Sequence, residues 1–448
     1  MNGLLLALYF ILCVCIAVFV PGYGAGAVLI GAIPALAAWY LIRRIDKEFL
    51  VQIFLIGLLL RMMVGLTIFL FSAQVFLGTD AKRYDEEGYA LLQYWRGNLL
   101  SLSTIENVGG VGGGWGMDYL VAGIYALVGR NQLAVQLFDS VFGAATAVVI
   151  FLCAQHLYQN LRVARVAAWF IALFPSLVLW SSQMLKDGLI IFLLTMSMLA
   201  TLKLGEKLSV KYLVVIIASL AGLLSLRFYI FYMVVAAIAG AFIIGMRKIT
   251  AANFLRQFVI IVVIGLALTY MGVINVAQKQ VEVFGSLEAI QRSRLDLAQS
   301  AESGFGQDVD VSTTSGAISA IPLGMTYLLF APFPWEMANL RQSITLPEML
   351  VWWGSFPLLI LGLWFTFKYR LRQALPILIF TVMLTLAYSI FQGNVGTAFR
   401  QRAQLLVFYF IFVAVGFVLL KERAENRRQQ DLLKEEAMRL RRLPVRKA

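Results

Sequence analysis

The feature that most restricts this chain is a succession of apolar runs, most close to 20 residues long, separated by short polar stretches. A run of that length crosses the ~30 Å hydrocarbon core of a bilayer as a helix, because backbone polar groups in lipid must be satisfied within the segment. Composition agrees: 61% of the 448 residues are hydrophobic and only 14% are charged, against roughly 25% charged in soluble domains. Mean hydropathy is +0.83. A soluble domain is excluded, and the net charge of +13 is first assigned to loops on the cytoplasmic side, where Lys and Arg accumulate.

Runs at 3–20, 25–42, 50–77, 134–155, 166–181, 188–202, 212–226, 228–246, 257–275, 347–367, 374–391 and 404–420 alternate with charged ends. Basic clusters at Arg43-Arg44, at Arg162 and Arg165, at Lys203, Lys207 and Lys211, at Arg247-Lys248, and at Lys368, Arg370 and Arg372 all fall on one side. This self-consistency predicts an all-α polytopic membrane protein with about twelve transmembrane helices and both termini cytoplasmic. Residues 1–420 form the transmembrane domain, with long outer loops at 78–133 and 277–345. An apolar stretch at 117–128, too short to span, is expected to lie along the membrane as a juxtamembrane helix. Residues 421–448 form a basic tail whose interleaved leucines suggest an amphipathic helix on the anionic inner leaflet. No aromatic stacking residues accompany those cations, so nucleic-acid binding is not indicated. Arg61 falls inside a span and must face other helices or a wet cavity, while Asp139 falls near an outer end. His156 is expected at an interface, and Cys13, Cys15 and Cys153 suggest neither a disulfide framework nor a zinc site. The run Gly109 to Gly114 lacks the Gly-Lys-Ser/Thr ending of a phosphate loop and is read as a hinge.

The stretch Thr79-Asp80-Ala81-Lys82-Arg83-Tyr84-Asp85-Glu86-Glu87 places four carboxylates in eight residues where a span emerges on the outer side. Isolated polar residues elsewhere fall on the same side: Lys186-Asp187 in a tight turn, Arg227 between two spans, Trp335, Glu336 and Arg341 in the second outer loop, and Asn394, Arg400 and Arg402 before the last span. Acids beside isolated cations suit a reaction in which a hydroxyl loses its proton and a phosphate departs. Arginine matches the phosphate with a two-pronged fork. Paired acids could hold a divalent metal, although no spacing demands one.

The segment 79–86, with Asp118-Tyr119-Leu120, Tyr125 to Asn131, Phe174-Pro175-Ser176 and Lys186-Asp187-Gly188, resembles the core of the GT-C glycosyltransferases. It is closest to the branch of the protein mannosyltransferases and lipid A aminoarabinose transferases. The likeness covers roughly residues 78–205. It implies a GT-C-like fold in a bacterial inner membrane, a polyprenyl-phosphate-linked sugar as donor, and a glycan, lipid or protein as acceptor. Asp80 matches the family's loop acid, the base that activates the acceptor, with Asp85 and Glu86 as alternates. Asp187 matches the acid of the second outer loop. Tyr84, Lys186, Arg227, Trp335, Glu336, Arg341, Asn394, Arg400 and Arg402 are the candidate substrate-binding residues. Two spans precede the one leading into the acidic loop, where the family usually has none. A polymerase or ligase of lipid-linked glycans, also using loop arginines, is the alternative enzyme. A flippase or other transporter is the alternative outside catalysis. Charges within its spans and repeated halves would mark a transporter, and neither is prominent here.

Overall fold

The computed structural model describes residues 2–45, 48–73, 80–100, 114–244, 251–270, 272–299, 303–337 and 340–442. Among them the chain is helical, and its one β-pairing is an isolated bridge between Gly304 and Asn394. Eight helices are long and apolar enough to cross a membrane, so this is an integral membrane protein. They are α1 (Asn2–Phe19), α2 (Gly24–Arg43), α3 (Glu48–Leu70), α6 (Gln132–Tyr158), α9 (Asp187–Glu206), α17 (Leu346–Tyr369), α18 (Leu371–Phe391) and α19 (Val395–Arg442). Between them lie α4 (Asp80–Trp95), α5 (Trp115–Val128), α7 (Leu161–Leu173), α8 (Pro175–Trp180), α10 (Val210–Leu226), α11 (Phe228–Ile244), α12 (Ala251–Tyr270), α13 (Val273–Phe284), α14 (Leu287–Gln299), α15 (Thr314–Phe330) and α16 (Leu340–Ile344).

Most expected spans map onto these helices directly, the shorter α10, α11 and α12 included. The expected span at 166–181 is instead broken at Phe174-Pro175 into α7 and α8. Proline lacks an N–H, so the carbonyl of Ile171 loses its helical partner. The Ser176 N–H turns to Glu348 Oε2 at 2.7 Å, which frees the carbonyl of Ala172. Arg61, reaching across from α3, donates to both stranded carbonyls at 3.1 Å and to Ser181 Oγ at 2.8 Å. That answers the demand that an intramembrane arginine find polar company. Asp139 has no such answer: it is fully buried, and neither carboxyl oxygen has a side-chain partner among the described residues.

The acidic stretch is an amphipathic helix, α4, rather than an open loop. Its charges pair along one face, Lys82 with Glu86 and Arg83 with Glu87, each at 3.7 Å, while Ala81, Tyr84, Gly88 and Leu91 turn inward onto α5. Helical spacing produces both faces at once. The helix expected at 117–128 is α5. Residues 101–113, which carry most of the glycine run, lie outside the described residues. Within the stretch expected as the second outer loop, α15 is an apolar helix packed on α18 and α19.

The tail continues α19 without interruption to Arg442. From Arg400 to Glu425 the helix rises about 37 Å at 1.5 Å per residue, more than the ~30 Å hydrocarbon core. Near Glu425 it is tied to Arg162 at 2.6 Å, and Glu422 accepts from Asn160 at 3.3 Å. Arg400 and the basic cluster at Arg162 therefore sit at opposite ends of the bundle.

Candidate active site

Four elements converge at the Arg400 end. The first turn of α4 presents Asp80, the first turn of α9 presents Asp187 with Lys186 just before it, the junction of α10 and α11 presents Arg227, and the start of α19 presents Arg400. The junction is sharp because Arg227 leaves helical geometry, with φ −158° and ψ 90°. The start of α19 is set by Asn394, whose side-chain oxygen accepts from Gly396 N at 2.8 Å and from Ser303 Oγ at 3.0 Å. An asparagine oxygen on the first free N–H groups is the usual way to begin a helix. Strand-like hydrogen bonds from Phe305 N to Gly393 O and from Val395 N to Ser303 O hold the same turn. Gly393 is obligatory there, since a Cβ would sit 2.5 Å from the carbonyl oxygen of Arg294.

Arg400 joins the two acids. Its Nη1 donates to Asp80 Oδ2 at 2.5 Å, and its Nε and Nη2 donate to Asp187 Oδ2 at 2.8 and 2.5 Å. Arg227 stands 3.7 Å from the other oxygen of Asp187. The side chain of Asp187 is 1% exposed and that of Asp80 is 45% exposed. One carboxylate is thus locked in place, while the other faces outward. Trp180, at the end of α8, lies under the Arg400 guanidinium at 5.7 Å, a cation–π contact.

Lys186 is buried, and its side chain makes no hydrogen bond or ion pair among the described residues. Its ammonium lies 5.9 Å from the Tyr84 ring and so close to Gly114 that a Cβ there would come within 2.9 Å of Nζ. Burial, and then the positive charge of Arg227, push its pKa down to about 7. Asp118, on α5, is also buried. Burial and the neighbouring Glu87 carboxylate push its pKa up to about 7, and its Oδ1 has no partner among the described residues.

The structure therefore gathers Asp80, Tyr84, Lys186, Asp187, Arg227 and Arg400. It sets other candidates apart. Asp85 accepts from Tyr125 Oη at 2.6 Å and from Arg130 Nη2 at 2.5 Å. Burial alone would raise its pKa, but Arg130 and Tyr125 hold it below the usual carboxylate range. Glu86 is exposed on α4 beside Lys82. Arg402 is 1% exposed and donates to the carbonyls of Leu329 and Ala331 at 3.1 and 3.0 Å, so it clamps the end of α15. Trp335 and Glu336 lie on the exposed loop after α15, and the side chain of Arg341 lies outside the described residues. Asp118, Glu87 and Trp180 were not among the candidates. The signal for Asp118 was present, as a lone acid in an apolar helix.

Residues 114–272, a little over a third of the chain, match the family described as dolichyl-phosphate-mannose-protein mannosyltransferase. The matched stretch holds Asp118, Lys186, Asp187 and Arg227, and overlaps the region in which the GT-C resemblance was read. It stops short of Arg400. No curated protein sequence matches the chain. Among solved structures, ArnT from Cupriavidus metallidurans, crystallised bound to undecaprenyl phosphate, aligns over 74% of this chain and 55% of its own, with 14% identity and a TM-score of 0.42. The chain thus spans little more than half the length of that protein.

Proposed function

We propose that this protein is a membrane glycosyltransferase that moves a sugar from a polyprenyl-phosphate donor to an acceptor hydroxyl at the outer face of the membrane. The observation that carries the reading is Arg400 bridging Asp80 and Asp187, with Arg227 and Lys186 beside it. The family matched over residues 114–272 is described by a prenyl-phosphate sugar, which supports the donor class.

In this reading the acceptor oxygen attacks the anomeric carbon as the bond from that carbon to the phosphate oxygen breaks. The hydroxyl proton passes to Asp80, and the polyprenyl phosphate departs with its negative charge. A single displacement inverts the anomeric centre. Lys186, Arg227 and Arg400 meet the departing phosphate, and donors fixed in a buried site stabilise charge as it develops. The resting contact between Arg400 and Asp80 suits this sequence. A phosphate that takes Nη1 of Arg400 releases Asp80 to act as the base. Asp187, shut away from solvent, holds both guanidiniums in register and keeps cationic groups together that would otherwise repel. The described residues contain no group of three or more His, Cys, Asp or Glu side chains able to hold a metal, so no step is routed through one. The acceptor is a glycan, lipid or protein hydroxyl, and the compartment is a bacterial inner membrane with both termini cytoplasmic.

The test is turnover of purified protein with a panel of polyprenyl-phosphate sugars and a mixture of envelope acceptors, read by mass spectrometry of both fractions. Appearance of free polyprenyl phosphate with a glycosylated product is the expected result. An unaltered donor pool across the panel, with the protein folded, overturns the reading.

A further inference from the structure

An aromatic ladder that the transfer chemistry does not use runs from the segment before α15, across α15, to the loop after it. Phe305, buried, stacks on Tyr327 with ring centres 4.1 Å apart and planes 4° from parallel. Tyr327 meets the edge of Phe333 at 5.5 Å, and Phe333 stacks on Trp335 at 5.2 Å and 12°. Trp335 ends the series 77% exposed. The loop beneath it is firmly built. Arg402 Nη1 donates to Ala331 O at 3.0 Å, Trp353 Nε1 to Phe330 O at 3.1 Å, and Glu336 N to Phe333 O at 3.1 Å. Glu336 then accepts from Tyr327 Oη through Oε2 at 3.0 Å, which leaves Oε1 for another partner. Phe305 and Ala331 pack with Val395, at the start of the helix that carries Arg400.

We propose that Trp335 and Glu336 form a saccharide-binding platform for the acceptor, which makes the acceptor of the proposed transfer a glycan. This assignment rests on that reading of the Arg400 site. A pyranose ring has an apolar face of C–H groups and a rim of hydroxyls. A large flat indole, held from behind and open in front, matches the first. A carboxylate with a free oxygen beside it matches the second, as a charged acceptor makes hydrogen bonds stronger than a neutral one does. An exposed tryptophan near a membrane can instead anchor in lipid head groups, where a neighbouring cation adds attraction to phosphate. The described residues of this loop, 331–337, carry one charge, the Glu336 carboxylate, which repels phosphate. Interfacial anchoring also needs no stacked series running back into the protein.

The test uses the full chain in neutral phosphatidylcholine nanodiscs, with a printed array of oligosaccharides as probe. The wild type is compared with Trp335→Ala, Trp335→Phe and Glu336→Gln. Binding to a defined subset of spots is expected. Alanine should weaken it on the order of tenfold, the size of one aromatic contact, and phenylalanine should restore most of it. Melting temperatures should match, because the side chain is exposed. No retained spot in the wild type, or equal binding by Trp335→Ala, overturns the platform. So does a Trp335→Ala variant whose sole defect is lower stability in the bilayer, which marks a lipid anchor. In the turnover assay, an unchanged acceptor KM in Trp335→Ala removes the acceptor assignment and leaves the transferase reading intact. Trp335-dependent array binding by a protein that turns over no donor does the reverse.

Discussion

Arg400 and Arg402 stand two residues apart on one helix and face different partners. Arg400 reaches the carboxylates of Asp80 and Asp187, whereas Arg402 is spent on the backbone carbonyls of Leu329 and Ala331. Each residue advances a helix by about 100°, so a separation of two points side chains to nearly opposite faces. Arg400→Lys keeps the charge but cannot hold both acids, and kcat should fall on the order of 10² with little change in melting temperature. Arg400→Ala should also lose stability, because the buried Asp187 carboxylate keeps only the longer Arg227 contact, and removing one partner of a buried ion pair costs up to about 3–5 kcal/mol. Arg402→Lys should mainly lower the melting temperature. The check is kcat and thermal stability measured together on all three. A full rate in Arg400→Lys removes Arg400 from the site.

Asp80 and Asp85 separate chemistry from support. Asp80→Asn should lower kcat by about 10²–10⁴, the usual worth of a general base, and leave stability near wild type because the side chain is partly exposed. Asp85→Asn should weaken the Arg130 and Tyr125 contacts and appear first as a lower melting temperature. If Asp80→Asn turns over normally while the folded fraction of Asp85→Asn does not, the base is misassigned.

Lys186 sets a pH dependence. With its free-enzyme pKa pushed down to about 7, the ammonium that would meet phosphate is lost as pH rises through that value. The ratio kcat/KM for donor reports groups of the free enzyme, so it should decline above about pH 7. Lys186→Arg stays charged and should extend activity to higher pH, even if its maximum is lower. An alkaline limb unchanged in Lys186→Arg assigns the titration elsewhere.

Asp118 should be visible in stability. Its folded pKa is raised to about 7 from an ordinary 3.8, so between those values the folded state holds a proton that the unfolded state has released. Stability from this group is complete below about pH 4, falls as pH rises, and is fully lost above about pH 7. Asp118→Asn removes the dependence. Its melting temperature relative to wild type should climb from pH 4 to 7 and then level off. A constant difference across that range counts against the shifted pKa.

What the sequence determined by itself is what the bilayer enforces. Segment length, uniform apolarity and the side that collects Lys and Arg are read one span at a time, and they were sufficient for an all-helical membrane protein, for the position of α5, and for the need of Arg61 to find polar company. They were also sufficient to bring Lys186, Asp187, Arg227 and Arg400 onto one expected face. Only the tertiary structure decided which of those residues meet. Across the sequence separation of 213 from Asp187 to Arg400 no local rule pairs them, since the contact follows from how α9 and α19 pack. The sequence reading began the last span at 404, after both arginines, whereas α19 begins at Val395. That boundary concealed the divergence of Arg400 from Arg402. Breaking the 166–181 span at Pro175 likewise left carbonyls whose donor, Arg61, comes from another helix. Contacts of this kind depend on packing between distant segments, and periodicity along a single segment does not contain them.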